Sequence, residues 1–362
     1  MTNYNNSKEI KQLSNEDLKV IFDNSLFYSH TEVEEQKPCI WINEGDFNTT
    51  VASLGNISTI VGKAKAGKTF LISAIASALL TNSTCLNFSG KLPEGKTKVL
   101  IIDTEQSKLD CKKVCNRISL LTGCNENEHS ENLIFSRLRG IEPKTIVRVV
   151  DYIVNQNSEI GAVIIDGIKD LIYSINDERE ATETAVNLMG WSETKGIHIF
   201  TVLHENKIDN NVRGHIGTEL QNKSETVISV RKQEHEKNLF IIEAKFQRDK
   251  EFTPFAFQIN NNGIPELAEY KNSFNIKKSK SPNDYDEKIH INILKNIFPT
   301  NNNCSKREFY QLLKEELKQN SIDIGDNTAR TFTNYYIDND MIINNGTESN
   351  SKLIFNEKNE VC

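Results

Sequence analysis

Eight consecutive residues constrain this chain more than any other stretch: Gly62-Lys63-Ala64-Lys65-Ala66-Gly67-Lys68-Thr69. They satisfy the spacing G-x-x-x-x-G-K-[ST], in which a strand feeds a glycine-rich loop and the loop opens a helix. The flanks suit that context, with an apolar strand at Ser58–Val61 and a helical pattern over 68–81. Average composition gives such a match by chance in roughly one per cent of chains of this length. Each residue type has a physical task. The glycines let the backbone bend so that successive N–H groups converge on an anion. The helix starting near Lys68 adds the positive end of its dipole. Lys68 would place a point charge on the β- and γ-phosphates of ATP, and the Thr69 hydroxyl would ligate Mg²⁺. The loop and Phe70 directly behind it are therefore read as the nucleotide contact.

Downstream, short Ile- and Val-rich runs alternate with helical stretches. Strands are predicted at Ser58–Val61, Lys98–Asp103, Leu133–Ser136, Ala162–Asp166 and Ile197–Leu203, with helices over 68–81, 107–122, 143–156 and 179–195. That alternation implies an α/β fold built on a parallel sheet with right-handed crossovers. Three strands without intervening helices, Thr226–Arg231, Leu239–Ala244 and Phe255–Ile259, predict an antiparallel extension of the sheet. A polar stretch with Lys277, Lys278, Lys280 and Ser281-Pro282 reads as a linker. Beyond it, helical patterns over 287–297, 305–318 and 327–338 precede two short apolar runs, Met341–Ile343 and Leu353–Phe355. Three helices followed by a two-stranded ribbon is the outline of a winged helix-turn-helix. The expected organisation is an N-terminal segment (1–50), an ATPase domain (51–268), a linker (269–286) and a winged-helix domain (287–357). Within the first segment, residues 14–27 suggest a short amphipathic helix capped by Ser14 or Asn15.

Composition excludes more than it selects. A net charge of −7 argues against a uniformly basic nucleic-acid coat, though not against a local basic channel. Apolar runs such as Leu71–Leu80 are too short and too polar to span a bilayer, and the first residues lack the apolar core of a signal peptide, so a cytoplasmic protein without a membrane partner is expected. The seven cysteines are scattered without a C-x-x-C pair, so reduced thiols are expected rather than a disulfide framework or a zinc site.

Two predicted strands end in carboxylates. Ala162-Val163-Ile164-Ile165-Asp166 has the form of a Walker B strand, whose terminal Asp166 orients Mg²⁺. Asp166 is followed by Gly167, so the group that activates water must come from elsewhere. Val99–Asp103 continues into Thr104 and Glu105, placing a second carboxylate at the sheet edge where ligands of open α/β sheets bind. Glu105 is the candidate base. The plainer alternative is that Asp103 and Glu105 cap the helix that begins near Ser107.

This set of motifs resembles the RecA-like ATPases, and within them the plasmid RepA-type branch of hexameric helicases, with DnaB and KaiC as relatives. The resemblance covers roughly residues 50–260. It rests on the GKAKAGKT loop, the Asp103-Thr104-Glu105 strand end, Asp166, and Thr201-Val202-Leu203-His204 in that order. It implies that Glu105 activates water and that His204, ending the fifth core strand, senses the γ-phosphate. It implies a mobile loop after His204, over 205–214, that contacts single-stranded DNA, with Lys207 and Arg213 neutralising phosphates. A solvated hairpin is the alternative, and no aromatic residue in 205–218 is available to stack on bases. Glu243-Ala244-Lys245-Phe246-Gln247-Arg248 resembles the Lys-x-x-Arg elements that close a neighbouring subunit's site, with Arg248 as an arginine finger and Lys245 as its partner. A basic strand end on the surface is the alternative. The resemblance thus implies a homo-oligomer, a hexamer, acting as an ATP-dependent DNA helicase or translocase of a plasmid, phage or integrated element. An ATP-switched DNA-binding regulator or recombination mediator without unwinding activity is the other reading. In the C-terminal unit, Thr328, Arg330, Thr331, Thr333 and Asn334 would meet duplex DNA, or the unit would dock a protein.

Overall fold

The structure is a computed structural model and describes residues 13–33, 35–45, 47–125, 128–205, 214–233, 238–269, 281–285, 287–298, 303–319, 324–345 and 352–356. The expected DNA contacts Lys207 and Arg213, and most of the expected linker, lie outside these residues. The chain divides into two units, Met1–Tyr270 and Lys271–Cys362.

The first unit opens with helix α1 (Asn15–Ser25), held by a capping box in which Ser14 N–H donates to Asp17 Oδ2 and Asp17 N–H to Ser14 Oγ. None of its residues is buried. Strands β1 (Pro38–Asn43) and β2 (Asn48–Ser53) follow, then β3 (Ile57–Gly62) and α2 (Lys68–Thr81). β4 (Thr84–Cys85) and β5 (Phe88–Gly90) complete a small antiparallel sheet of order β2-β1-β5-β4. This sheet corrects the expected separation of residues 1–50. Ile40, Ile42 and Phe88 are fully buried in one cluster with Leu71, Ile75 and Leu79 of α2, so β1 and β2 belong to the core of the ATPase unit. The strands escaped notice because β1 is short and is followed by the polar turn Asn43–Gly45.

The main sheet adds β6 (Lys98–Asp103), β7 (Leu133–Arg137), β8 (Ile160–Asp166), β9 (His198–His204), β10 (Thr226–Lys232), β11 (Leu239–Gln247), β12 (Phe255–Ile259) and β13 (Pro265–Ala268). Its order is β13-β12-β11-β10-β3-β9-β8-β6-β7. The six strands from β10 to β7 run parallel, and β11 to β13 continue antiparallel. This is the expected RecA-like architecture, a mainly parallel sheet with an antiparallel extension. Helices α3 (Lys108–Leu121), α4 (Pro143–Gln156), α5 (Glu178–Lys195) and α6 (Gly214–Lys223) accompany it. Both faces are covered, so the central strands are apolar throughout: every residue of β8 is buried. Alternation survives in how neighbours divide between the faces. Val99 and Ile101 of β6 enter the core with α2, whereas Leu100 and Ile102 enter the core with Ile146, Val150 and Val154 of α4. Helix α6, which follows the expected 205–214 loop, was not expected; Ile216 and Leu220, four apart, bury one face of an otherwise polar helix against the second core.

The second unit contains α7 (Glu287–Ile297), β14 (Cys304–Ser305), α8 (Lys306–Gln319), α9 (Asp326–Asp338), β15 (Ile342–Asn345) and β16 (Lys352–Phe355). The strands form an antiparallel sheet of order β14-β16-β15, one strand more than the expected ribbon. Leu294, Phe309, Leu313, Phe332, Tyr336 and Leu353 fill its core. Ser305 and Glu308 form a reciprocal capping pair at α8. Thr333, expected on a DNA-facing surface, is instead fully buried, its hydroxyl donating to Ala329 O within α9. Arg330, Thr331 and Asn334 are exposed and Thr328 is half-buried.

Candidate active site

The phosphate loop lies at the C-terminal end of β3, and its shape is set by its sequence. Gly67 adopts φ 92°, a conformation that costs a side-chain-bearing residue energy, and a Cβ there would lie 2.6 Å from the Phe240 ring. Phe240 on β11 thus forms the floor of the loop, backed by the stacked ring of Phe257 and flanked by Phe70. Lys65 adopts φ 63°. A cavity of about 330 Å³ opens here, lined by Lys65, Ala66, Gly67, Lys68, Thr69 and Phe70, by Glu105 and Gln106 just after β6, and by Asp166, His204 and Phe240 of three other strands. Lys63 and Ala64 are exposed on the outer side of the turn. The carbonyls of Gly62 and Lys63 instead accept hydrogen bonds from the Lys68 ammonium, at 2.7 and 2.9 Å.

Parallel pairing brings the strand-end residues to one level. Register pairs Asp103 with Asp166 across β6 and β8, and Gly62 with His204 across β3 and β9. The result is a continuous chain of polar contacts. Lys68 Nζ donates to His204 Nδ1 at 3.2 Å, and His204 Nε2–H donates to Glu105 Oε2 at 3.3 Å. One neutral tautomer, protonated at Nε2, satisfies both bonds. Lys169, on the turn after β8, places its ammonium 3.2 Å from Glu105 Oε1. Gly167 makes this approach feasible: at φ 101°, a Cβ would lie 2.2 Å from the Thr104 hydroxyl and 2.9 Å from Glu105 Cγ. Gln106 ties the carboxylates together, its amide donating to Asp103 Oδ2 at 2.7 Å and reaching Asp166 Oδ2 at 3.4 Å.

The electrostatics follow from this crowding. Burial lowers the Lys68 pKa to about 8 against the opposing pull of Asp166, Glu105 and Glu205. Burial, and then the neighbouring Asp103 and Glu105 carboxylates, raise Asp166 to about 7. The His204 hydrogen bond, aided by Lys169 and opposed by burial, holds Glu105 at about 2. Burial also raises Asp103, while the N–H groups of Gln106 and Glu105 oppose it. A buried carboxylate pressed by two others favours a cation beside it. Thr69 and Asp166 line the same cavity, so the hydroxyl and carboxylate that would hold Mg²⁺ face one space. Among the described residues no group of three acidic, His or Cys side chains forms a metal cage. Mg²⁺ needs no such cage, because it binds through one or two protein oxygens together with substrate phosphates and water. When bound there, it would neutralise charge on the β- and γ-phosphates.

Residues 41–210 match the family model described as an AAA domain. This stretch is similar to P-loop AAA-type ATPase domains. No curated protein sequence matches the chain. The matched stretch holds the phosphate loop, Glu105, Asp166 and His204, while Phe240, Lys245 and Arg248 lie beyond it.

The last two residues part company. Arg248 does not line this cavity. It lies just past β11, beside the N-terminal end of β10, where its guanidinium donates to Lys223 O at 3.1 Å. Lys245, expected to act beside Arg248, pairs with Glu205 at 2.9 Å, next to His204. The motif reading found Lys68, Thr69, Glu105, Asp166 and His204, which share one cavity. It missed Gln106, Lys169 and Phe240, because none belongs to a spaced motif and each is brought in by pairing or by a turn.

Proposed function

We propose that the chain is an oligomeric, ATP-hydrolysing DNA motor of the RepA-type helicase branch of RecA-like ATPases, serving a plasmid, phage or other mobile element. The observation that carries this reading is the Lys68–His204–Glu105 chain. A protein that only stores nucleotide needs the loop and the magnesium ligands. A carboxylate linked through an imidazole to the phosphate-binding lysine is suited to hydrolysis, with Glu105 accepting the proton of the attacking water and His204 responding to the γ-phosphate. Held at about 2 by His204 and Lys169, Glu105 is too acidic to be an effective base. A γ-phosphate competing for Lys68 and His204 would release it, so turnover waits on occupancy.

Among the described residues no arginine lines the cavity. Transition-state charge then calls for a cation from another copy, and Arg248, directed away from its own loop, is the candidate. The DNA half of the proposal rests on the resemblance and on the position of the 205–214 segment at the end of β9. The second unit is read as a winged helix. Its α9 surface favours protein docking over duplex binding, because exposed Asp338 and, just past the helix, Asp340 stand against Arg330, while Asp326 is paired with Lys314.

Full-length protein with Lys68→Ala should lose nucleotide binding, and Glu105→Gln should bind ATP and lose turnover by roughly 10²-fold or more. Strand displacement on a forked duplex tests the motor. ATP-dependent unwinding supports it. Stimulation of turnover by single strands without unwinding favours an ATP-switched regulator or recombination mediator, and turnover indifferent to DNA rejects both.

A further inference from the structure

The Glu105 carboxylate is held from two sides. On the cavity side, Oε2 accepts the His204 bond. The other oxygen, Oε1, is closed off from solvent and, beyond the Lys169 ammonium 3.2 Å away, has no polar partner among the described residues. Lys169 reaches it from outside: Glu105 lines the phosphate-loop cavity, and Lys169 is not among the lining residues. The turn that carries Lys169 is built to keep it there. Ile168–Leu171 forms one 3-10 turn directly after β8, and both of its end residues are buried in the second core. The buried Thr104 hydroxyl donates to Asp170 Oδ2 at 2.8 Å and to Gly167 O at 3.0 Å, and the Asp170 N–H closes on Gly167 O at 2.9 Å. Thr104 directly precedes Glu105, so the same contacts stitch the base and the turn together. A lysine on a loose loop would have to order backbone as well as side chain to make this contact; here only its own rotamers remain to be fixed.

We propose that Lys169 is a positioning residue that restrains Glu105 from outside the phosphate cavity and so limits the rate of the hydrolytic step. The proposal rests on the assignment of Glu105 as the base and adds a residue that acts through it. In that step the water oxygen bonds to the γ-phosphorus, the bond to the bridging oxygen breaks with its electron pair going to ADP, and the water proton passes to the Glu105 carboxylate. Taking up that proton turns the carboxylate into a neutral acid and leaves the Lys169 ammonium without its anion, so the ion pair opposes the step. Phosphates in the loop compete for Lys68 and His204, which line the cavity. They do not reach Lys169, so this second hold persists whether or not ATP is bound. Its size is limited by water, because the Lys169 side chain is 45% exposed.

The test uses full-length Lys169→Met and Lys169→Gln, two charge-free variants of different polarity, with Lys169→Arg, Glu105→Gln and the Glu105→Gln/Lys169→Met double variant. Single-turnover cleavage of ATP, affinity for a fluorescent ATP analogue and the thermal melt are measured for each. Lys169→Met and Lys169→Gln should cleave ATP faster by roughly twofold to fivefold, the range over which a half-exposed ion pair shifts an equilibrium, with analogue affinity unaltered. Lys169→Arg, which keeps a cation at that place, should lack most of the gain. The double variant should match Glu105→Gln, because Lys169 acts through the carboxylate. Cleavage that is slower or unchanged in both charge-free variants overturns the proposal. So does an equal gain in Lys169→Arg, or a gain that comes with a changed analogue affinity, which would place Lys169 on the nucleotide. A lowered melt in both charge-free variants makes Lys169 a structural residue and also overturns it. Normal cleavage in Glu105→Gln removes the base reading itself, an outcome separate from any result at Lys169.

Discussion

At the scale of single residues, the site depends on where backbone and side chain leave no room. The phosphate loop is not merely permitted by Gly67. It is pressed against Phe240, whose nearest ring carbon would stand 2.6 Å from an added Cβ. Gly67→Ala therefore carries two separable penalties, a left-handed backbone unsuited to alanine and a clash with an aromatic ring. The expected result is a loss of nucleotide affinity of roughly tenfold or more, about 1.4 kcal/mol, with the fold retained. Adding Phe240→Leu should recover only the steric part, because the backbone strain remains. Nucleotide titrations of the single and double variants measure both. Equal affinity in Gly67→Ala and the unaltered chain would show that the loop is not held against β11.

At the scale of elements, the end of the sheet opposite the phosphates is tied by a buried imidazole. His198 begins β9, is fully buried, and donates from Nδ1 to Ser53 O on β2 at 2.7 Å. Its Nε2 has no hydrogen-bond partner among the described residues. Burial lowers its pKa to about 4, with the Ser53 carbonyl opposing. The folded value is depressed, so between about 6.5 and 4 the unfolded chain binds a proton that the folded chain refuses. The stabilisation is complete above pH 6.5 and is lost as pH falls toward 4, at up to about 1.4 kcal/mol per pH unit. Buried Glu225, 4.0 Å from His198 Nδ1, is raised by burial, so its own titration moves toward the interval between pH 6.5 and 4. Thermal melts across that interval should slope less steeply in His198→Gln; identical slopes would remove His198 as the cause. This junction also marks what the sequence concealed. The parallel strands were legible because burial on both faces forces uninterrupted Ile and Val runs. The β1–β2 sheet and α6 were not, because each buries only a few apolar positions among polar neighbours. In the site, Lys68, Thr69 and Asp166 were legible as spaced motifs, and Glu105 and His204 through the resemblance. Lys169 and Gln106 depend on register and a turn, which spacing along the chain does not encode.

At the scale of the whole molecule, the inter-subunit site proposed above would divide one reaction between the two ends of the parallel strands. One end holds acidic groups, a phosphate-binding lysine and a base, without an arginine among the described lining residues. The other presents Arg248. A single chain cannot fold one end onto the other, because the strands between them are the rigid centre of the core. Complementary ends that cannot meet within one copy can meet between copies, and head-to-tail contacts of that kind close into rings when the rotation permits. Hydrolysis should then be a property of the assembly, while ATP binding, which uses one end, should persist in isolated chains. Turnover per chain is expected to rise with protein concentration and to level off where mass photometry shows assembly complete, whereas binding of an ATP analogue per chain should vary much less. Arg248→Gln should bind the analogue and assemble, yet stay at the low turnover of the diluted chain at every concentration. Constant turnover per chain across the range in which assemblies dissociate would place the complete reaction within one copy.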